Sequence, residues 1–377
     1  MAVDASILRA SAPGPGAAAA RPLGTRRLPG PGPGGYSRSM PATGHRALVT
    51  GVTGQDGPYL SELLIAEGYE VAGLVLPGES VPEAVPAAVH LLEGSLTDSG
   101  SLRTALAEVR PSEVYNLAAA TSVADSFDNP VTVAEVTGLG VLRLLEAIRL
   151  ADPGVRFLQA SSAEIFGGAT TSPQDESTPL SPVSPYGVAK AFAHQTVQHY
   201  RRARGIFAAN AILYNHESPR RGTGFVTRKV SLGAARIARG LETELRLGNL
   251  DVERDWGYAP DYVRAMHLVL QQDVADDYVV ATGQTHSLRE LLELAFSAVG
   301  LDWRSHVVSD PAFLRPAEPV RLCGDASRAR ARLGWAPTLE FAEIIRTMVL
   351  ADLARLDAAS STAPEAGPSP AQGPAPR

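Results

Sequence analysis

The sequence predicts an α/β fold in which a doubly wound parallel sheet is followed by a smaller lobe. Short apolar segments alternate with amphipathic helical segments from residue 46 to residue 213. A glycine-rich turn separates the first predicted strand from the first predicted helix. Polar residues follow the fifth predicted strand directly, at the position where a parallel sheet presents side chains at its carboxyl edge.

The order of the elements supports this fold class. Apolar runs predict six strands, at residues 46–50, 70–76, 89–92, 113–118, 156–160 and 208–213. Helical spacing predicts intervening helices at residues 101–109, 133–150 and 185–204. This alternation is typical of a Rossmann-type sheet. Polar loops then alternate with helices predicted at residues 227–239, 261–271, 288–299 and 341–353, which indicates a smaller, partly interleaved C-terminal substrate lobe.

Composition excludes several classes of protein. The chain has 377 residues, of which 45% are hydrophobic and 20% charged, so it can bury a large core. A formal charge of -6 argues against a nucleic-acid partner or an anionic membrane surface. No apolar stretch is long enough to cross a bilayer. The single cysteine fits a reducing compartment, so we expect a cytoplasmic protein, and we expect no metal site.

The glycine-rich turn predicts a dinucleotide site. Gly51, Gly54 and Gly57 let the backbone turn tightly and approach a pyrophosphate, whose charge the amides of the following helix meet. We therefore expect residues 45–214 to form a dinucleotide-binding Rossmann domain and residues 215–356 to form mainly a substrate lobe, with segments that return to the first domain.

Both ends of the chain have the composition of disordered tails. Residues 1–44 and 357–377 are rich in Ala, Pro and Gly and have almost no apolar periodicity, so they cannot offset their ordering entropy by burial. Met40 stands just before the first predicted strand, so residues 1–39 also fit an upstream extension of the translated frame.

Four polar side chains predict an alcohol-oxidising centre. Tyr186 and Lys190 are four residues apart on a predicted helix, so the ammonium lies near the phenol and favours its ionised form as a base. Ser162 follows the fifth strand and can orient the substrate oxygen. Glu164 is not needed for oxidation alone, but it can remove a proton from the carbon next to a newly formed ketone.

These residues resemble the GDP-mannose 4,6-dehydratase family of the extended short-chain dehydrogenase/reductase superfamily. The matching segments are residues 48–57, 114–119, 184–190, 215–222, 225–229, 254–257 and 315–318. The resemblance implies that Tyr186 deprotonates the mannose 4-hydroxyl and that Glu164 removes the C5 proton. Water then leaves from C6 and hydride returns there, which gives GDP-4-keto-6-deoxy-mannose.

The resemblance also implies the binding residues. For the dinucleotide these are Gly51, Thr53, Gly54, Gln55, Asp56, Gly57, Ser95, Leu96, Leu117, Ala118, Ala119, Thr121, Tyr186, Lys190, His216 and Arg221. For the substrate, GDP-mannose, they are Asn215, Lys229, Arg254, Arg315 and Glu318. Guanidinium and ammonium groups suit a diphosphate.

Two departures from the family pattern concern the cofactor and the assembly. The resemblance implies NADP, but Leu76 stands where the family carries the arginine that meets the 2'-phosphate, so NAD is also open. Glu79 is the nearest acid that could reach a ribose hydroxyl. The loop at residues 78–90 is shorter than in relatives that use it to form tetramers, so we expect a homodimer.

Two other functions remain open from the residues alone. A nucleotide-sugar epimerase or 4-ketoreductase of the same superfamily would use Ser162, Tyr186 and Lys190 equally. A catalytically silent protein that binds a dinucleotide as a sensor or scaffold is the alternative from another class. Only the dehydratase needs Glu164, and only it turns GDP-mannose into a 4-keto product.

Overall fold

The computed structural model describes residues 25–26, 44–310 and 321–361, and the structural statements below concern these residues. At the N-terminal side, strand β1 (Thr25–Arg26) pairs antiparallel with β4 (Val81–Pro82). This short pairing lies inside the segment that we expected to be a structureless tail. The rest of residues 1–43 lies outside the described part of the chain.

The centre of the fold is a seven-stranded parallel sheet. Its strands are β2 (Arg46–Thr50), β3 (Glu70–Val75), β5 (His90–Glu93), β6 (Glu113–Asn116), β7 (Arg156–Ser162), β8 (Ala208–Leu213) and β13 (Asp277–Val280). The strand order is β5-β3-β2-β6-β7-β8-β13, so the direction of winding reverses between β2 and β6. Open α/β sheets bind ligands at the carboxyl ends of the strands next to such a reversal.

Helices cover both faces of the sheet. On one face α2 (Ser99–Val109), α5 (Gly140–Ala151) and α6 (Pro185–Arg204) bury an apolar cluster. On the other, α1 (Asp56–Ala66), α8 (Ala259–Leu270) and α10 (Ser327–Leu333) bury a second cluster. The short helices α3 (Asp125–Asp128) and α4 (Pro130–Val133) lead into a π-helical stretch, Ala134–Leu139. The predicted Rossmann-type architecture is confirmed.

A smaller lobe packs around its own core, formed by α7 (Val226–Ala238), α9 (Leu288–Ser297) and α11 (Phe341–Ser361). Two-residue and three-residue strands connect it to the sheet domain: β9 (Asn215–Glu217), β10 (Leu245–Leu247), β11 (Glu253–Arg254), β12 (Trp256–Tyr258), β14 (His286–Ser287) and β15 (Val307–Ser309). Single 3-10 turns lie at Ala163–Phe166 and Trp303–Ser305. None of the described helices is long and apolar enough to cross a membrane.

The elements differ from the sequence predictions at three points. The structure contains β13, a strand that we did not predict, in the part of the chain from which we expected segments to return to the first domain. The helix predicted at residues 133–150 is interrupted by the π-helical turns before α5. Helix α11 continues to Ser361, past the point at which we expected the C-terminal tail to begin.

Candidate active site

The glycine-rich turn lies at the reversal of the sheet. Gly51 has a φ of +68°, and a Cβ at this position would lie 2.7 Å from the backbone nitrogen of Ala118. The turn after β2 therefore packs against the residues after β6 with only backbone between them. Helix α1 begins immediately afterwards and has no side-chain cap, so its first amides are suited to an anion.

The first turn of α1 is tied to strand β9. His216 Nδ1 lies 2.7 Å from the carbonyl oxygen of Tyr214, and Nε2 lies 2.8 Å from Asp56 Oδ2. Both ring nitrogens donate in this arrangement, so His216 is an imidazolium. Burial opposes its charge, but the Asp56 carboxylate outweighs burial and raises the pKa of His216.

Gln55 strengthens the same connection. Its amide Nε2 donates to the backbone oxygen of His216 at 2.9 Å, and its Oε1 accepts from Ser218 Oγ at 3.0 Å. The side chains of Gln55, Asp56 and His216, which the resemblance assigns to the dinucleotide, are therefore occupied by one another. These bonds fix the turn, and the assignment of the three residues to the dinucleotide stays a prediction.

The four predicted catalytic side chains come from β7, the turn that follows it, and α6. Ser162 ends β7, its Oγ accepts from the backbone N–H of Glu164 at 3.2 Å, and it is hydrogen bonded to Tyr186. Ser184 caps α6 by accepting from the Gly187 N–H at 3.0 Å. Tyr186 thus lies in the first turn of α6.

Gly187 allows α6 to approach the turn that carries Glu164. A Cβ at Gly187 would lie 2.7 Å from the backbone oxygen of Glu164. The negative charge of Glu164 is also close enough to raise the pKa of Tyr186. The structure therefore brings Ser162, Glu164 and Tyr186 together, although Gly187 was not singled out from the sequence.

The electrostatics of Tyr186 differ from our expectation. Burial raises the pKa of its phenol, which opposes action as a base, and the charge of Arg221 and the bond to Ser162 act in the other direction. We expected Lys190 to provide the favourable charge. Its Nζ instead lies 5.7 Å from the centroid of the Tyr186 ring and donates to the carbonyl oxygen of Ala160 at 2.7 Å. Arg221 thus adds a favourable charge beside the phenol that we did not expect.

Arg221 is held in place by a buried carboxylate and an aromatic ring. Its Nε lies 3.2 Å from Glu217 Oε2, and its guanidinium carbon lies 3.6 Å from the ring centroid of Phe225. Burial raises the pKa of Glu217, which Arg221 opposes. Glu217 also accepts a short hydrogen bond from Thr227 at the start of α7. The glutamate was not predicted as a site residue.

A buried chain of hydrogen bonds connects the first strand to Lys190. Thr50 Oγ1 donates to Asn116 Oδ1 at 2.6 Å, and Asn116 Nδ2 donates to Gln159 Oε1 at 2.7 Å. Gln159 Nε2 donates to the carbonyl oxygen of Ala160 at 2.9 Å, and this oxygen also accepts from Lys190. The sequence signal for these hydrogen bonds was the placement of Thr50 and Asn116 at the ends of apolar strands and of Gln159 inside one.

The end of β3 carries a fixed carboxylate. Glu79 Oε1 accepts from Thr53 Oγ1 at 2.7 Å, and Oε2 accepts from the Leu76 N–H at 2.8 Å. Glu79 therefore bonds to the glycine-rich turn itself, whereas the Leu76 side chain is 48% exposed. The acid that the sequence left as a candidate therefore lies against the glycine-rich turn.

The other residues assigned to the dinucleotide lie after neighbouring strands. Ser95 and Leu96 follow β5, where Ser95 Oγ lies 2.8 Å from Thr97 Oγ1 and Leu96 is buried. Leu117, Ala118 and Ala119 follow β6 and are partly exposed, and Thr121 beyond them is exposed. They lie along the carboxyl edge, as the resemblance implies.

The residues assigned to the substrate come from the connecting strands and α7. Asn215 of β9 pairs with Trp256 of β12, and Arg254 lies two residues earlier, in β11. Burial lowers the pKa of Lys229 on α7, and Asp310 opposes this shift. Arg315 and Glu318 lie outside the described residues, in the gap that follows residue 310.

Comparisons with known proteins agree with this geometry. The family model described as GDP-mannose 4,6 dehydratase matches residues 48–348. GDP-mannose 4,6 dehydratase 1 of Arabidopsis thaliana is 48% identical over 323 residues, which cover 81% of this chain and 89% of the plant protein. The chain belongs to the GDP-mannose 4,6-dehydratase family. This membership favours the dehydratase over the epimerase or 4-ketoreductase alternative.

Solved structures show the same architecture. UDP-glucose 4-epimerase from Thermus thermophilus in complex with NAD has a TM-score of 0.73 and 31% identity, and the match covers 81% of this chain and 98% of the epimerase. RMD from Pseudomonas aeruginosa complexed with NADPH has a TM-score of 0.70 and 27% identity, with coverage of 83% and 100%. The GDP-mannose 4,6-dehydratase family member described here thus shares its fold both with an enzyme solved with NAD and with one solved with NADPH.

In this family member, two sequence motifs about 160 residues apart are joined by side-chain hydrogen bonds. The Gly-Gln-Asp-Gly turn supplies Gln55 and Asp56, and the Asn-His-Glu-Ser strand supplies His216 and Ser218. The Arg-Asp-Trp-Gly motif also connects distant segments. Its Asp255 accepts hydrogen bonds from the backbone N–H groups of Thr282, Gly283 and Gly324 at 2.9, 3.0 and 3.2 Å.

Burial of Lys190 predicts a pH dependence of stability. The side chain is 3% exposed, and burial lowers its pKa to about 8 from an ordinary value of 10.5. The folded state therefore disfavours the ammonium, and this cost is complete below pH 8 and disappears as the pH approaches 10.5. We expect the free energy of unfolding of the cofactor-free wild type, relative to Lys190→Met, to rise by roughly 3 kcal/mol across this window. Urea unfolding of both proteins from pH 7 to pH 10.5 measures this difference. A difference that stays constant with pH would contradict the prediction.

Proposed function

We propose that this chain dehydrates GDP-mannose to GDP-4-keto-6-deoxy-mannose. The observation that carries the proposal is the meeting of Ser162, Glu164 and Tyr186 at the carboxyl edge of the sheet, next to the glycine-rich turn. An oxidation alone needs a phenol and a hydroxyl, whereas an elimination needs a carboxylate beside them.

The residues at the edge of the sheet fit a nicotinamide dinucleotide. The bare backbone at Gly51 and the uncapped start of α1 suit a pyrophosphate. The buried ammonium of Lys190, which donates to the carbonyl oxygen of Ala160, has further protons for ribose hydroxyls. When bound, the dinucleotide accepts hydride from C4 of the sugar and returns hydride to C6. We expect residues 51–57, Ser95, Leu96 and residues 117–121 to line it mainly through backbone.

In the first step Tyr186 accepts the proton of the 4-hydroxyl. Ser162 bonds to the same phenol, so it can orient the substrate oxygen toward Tyr186. Arg221 stabilises the negative phenolate against the penalty of burial. Lys190 positions the ribose from the next turn of α6.

Glu164 then removes the C5 proton, which the neighbouring ketone has made acidic. The resulting carboxylic acid can give this proton to the hydroxyl that leaves C6 as water. When hydride then returns to C6, C5 takes up a proton that Glu164 relays from solvent, which completes the product. Ala163, the residue before it, has a buried methyl side chain and no proton to give. Glu164 therefore acts first as base and then as acid.

The nucleotide part of the substrate requires cations on the side of the smaller lobe. Arg254 and Asn215 lie on the short strands that connect the two parts of the fold, and Lys229 lies on α7 of the smaller lobe. We propose that Lys229 and Arg254 bind the diphosphate, since guanidinium and ammonium groups bind phosphate oxygens well. Arg315 and Glu318, outside the described residues, complete the proposed substrate set. The division into a dinucleotide domain at residues 45–214 and a substrate lobe at residues 215–356 belongs to the same proposal.

Incubation of the purified chain with GDP-mannose tests the function. We expect NMR to show loss of the C6 hydroxymethyl signals and the appearance of a C6 methyl group beside a 4-keto carbon. Formation of an isomer of GDP-mannose would indicate an epimerase, and an unchanged sugar nucleotide would indicate a silent binding protein.

The chain is also proposed to act as a homodimer. Val188 and Phe192 lie one turn apart on α6 and are 55% and 43% exposed. Apolar side chains on one exposed helix face are typical of a surface that a second copy covers. Light scattering after gel filtration distinguishes a monomer, a dimer and a tetramer.

A further inference from the structure

We propose that Glu79 makes this chain select NAD over NADP. The proposal rests on the function proposed above, because it concerns the dinucleotide that serves the reaction. It departs from the NADP that the family resemblance implies.

The position of the Glu79 carboxylate is fixed from two sides. Thr53 Oγ1 donates to Oε1 at 2.7 Å, and the Leu76 N–H donates to Oε2 at 2.8 Å. The Glu79 N–H also donates to the carbonyl oxygen of Leu76 at 3.0 Å, which closes the turn after β3. Both donors to the carboxylate, the Thr53 hydroxyl and the Leu76 N–H, are neutral, so they orient the negative charge without cancelling it.

This carboxylate lies where a Rossmann fold reads the adenosine ribose. The strand next to the first one ends there, and an acid at its end accepts hydrogen bonds from the ribose hydroxyls of NAD. Each oxygen of Glu79 uses one hydrogen bond within the protein and keeps a further lone pair. A ribose 2'-hydroxyl can therefore donate to Glu79.

A 2'-phosphate meets the opposite conditions. It has no proton to donate at neutral pH and would approach a carboxylate of the same charge. Leu76 brings no compensating cation to this edge, and a second carboxylate is close, because Glu93 Oε1 accepts from the Gly78 N–H at 3.4 Å. The geometry thus favours a hydroxyl and disfavours a phosphate at the same point.

Titration of cofactor-free protein with NAD and with NADP tests the proposal without the sugar substrate. We expect calorimetry to give at least tenfold tighter binding of NAD, and mass spectrometry of the protein as purified to show NAD. Glu79→Gln removes the charge but keeps a carbonyl acceptor, so the preference for NAD should fall at least tenfold. Leu76→Arg combined with Glu79→Gln should bind NADP more tightly than NAD.

The matched control is Glu83→Gln, which removes the same charge from an exposed position four residues away. Its NAD preference should equal that of the wild type. A second control is Arg26→Ala, because β1 pairs with Val81–Pro82 close to Glu79. The wild-type preference should persist there as well.

Three results would overturn the proposal: equal or tighter binding of NADP by the wild type, an unchanged ratio in Glu79→Gln, or no binding of either dinucleotide. Failure of the proposed function is a separate observation. A chain that prefers NAD through Glu79 and leaves GDP-mannose unchanged would retain this inference and lose the dehydratase activity.

Discussion

Glu164→Gln is expected to lower the rate of GDP-mannose dehydration by at least about 100-fold, because the amide cannot accept the C5 proton. Gln has nearly the same shape as Glu, so the turn after β7 should keep its hydrogen bond between the Glu164 backbone N–H and Ser162. Affinities for dinucleotide and GDP-mannose should therefore change little. Steady-state kinetics and calorimetry measure both effects.

A second measurement assigns the loss to the C5 proton. In D2O the wild type should place deuterium at C5 of recovered or converted sugar, whereas Glu164→Gln should not. Glu83→Gln, an exposed change of the same kind, is the control and should behave like the wild type. Undiminished turnover of the Glu164 variant would remove this residue from the mechanism.

Tyr186→Phe should lower the rate by about 100-fold to 10,000-fold, the range expected for loss of a proton-transfer group. The ring is buried and its packing survives the change, so thermal unfolding should shift little. Since burial raises the pKa of Tyr186, the phenolate fraction and hence the wild-type rate should rise with pH from 6 to 8, and the residual rate of the variant should not.

Tyr59→Phe is a suitable control, because this ring belongs to α1 and packs against the guanidinium of Arg220, whose carbon lies 3.9 Å from the ring centroid. Its rate and pH profile should match those of the wild type. A Tyr186→Phe variant with wild-type kinetics would show that another group accepts the C4 proton.

The long, strongly patterned elements could be predicted from the sequence. Helix α6 and strand β8 have the predicted bounds, because a 20-residue amphipathic pattern and an apolar six-residue run each have one good interpretation. Strand β13 was missed, because four residues that begin with Asp277 are too few to show a period. The carboxylate of Asp277 is buried in the sheet, where Arg201 and Asn210 each donate a hydrogen bond to it at 2.9 Å.

The candidate site could be predicted as a set of side chains but not as an electrostatic arrangement. The order of a hydroxyl, a carboxylate, a phenol and an ammonium along the chain identified Ser162, Glu164, Tyr186 and Lys190. The contribution of Arg221 to the charge near Tyr186 was not predicted, because Arg221 is distant in sequence and approaches through β9, where it forms an ion pair with Glu217.

The sequence by itself determined the alternation of strands and helices and the glycine turn, and it supplied the candidate reacting groups, because these depend on local periodicity and on the chemistry of single side chains. The tertiary structure decided which partners share each charge: His216 with Asp56, Lys190 with the backbone of Ala160, and Glu79 with Thr53. Such pairings join residues that are 26 to 160 positions apart. These pairings depend on how the sheet brings its strand ends together, and a local sequence pattern cannot predict which strand ends become neighbours.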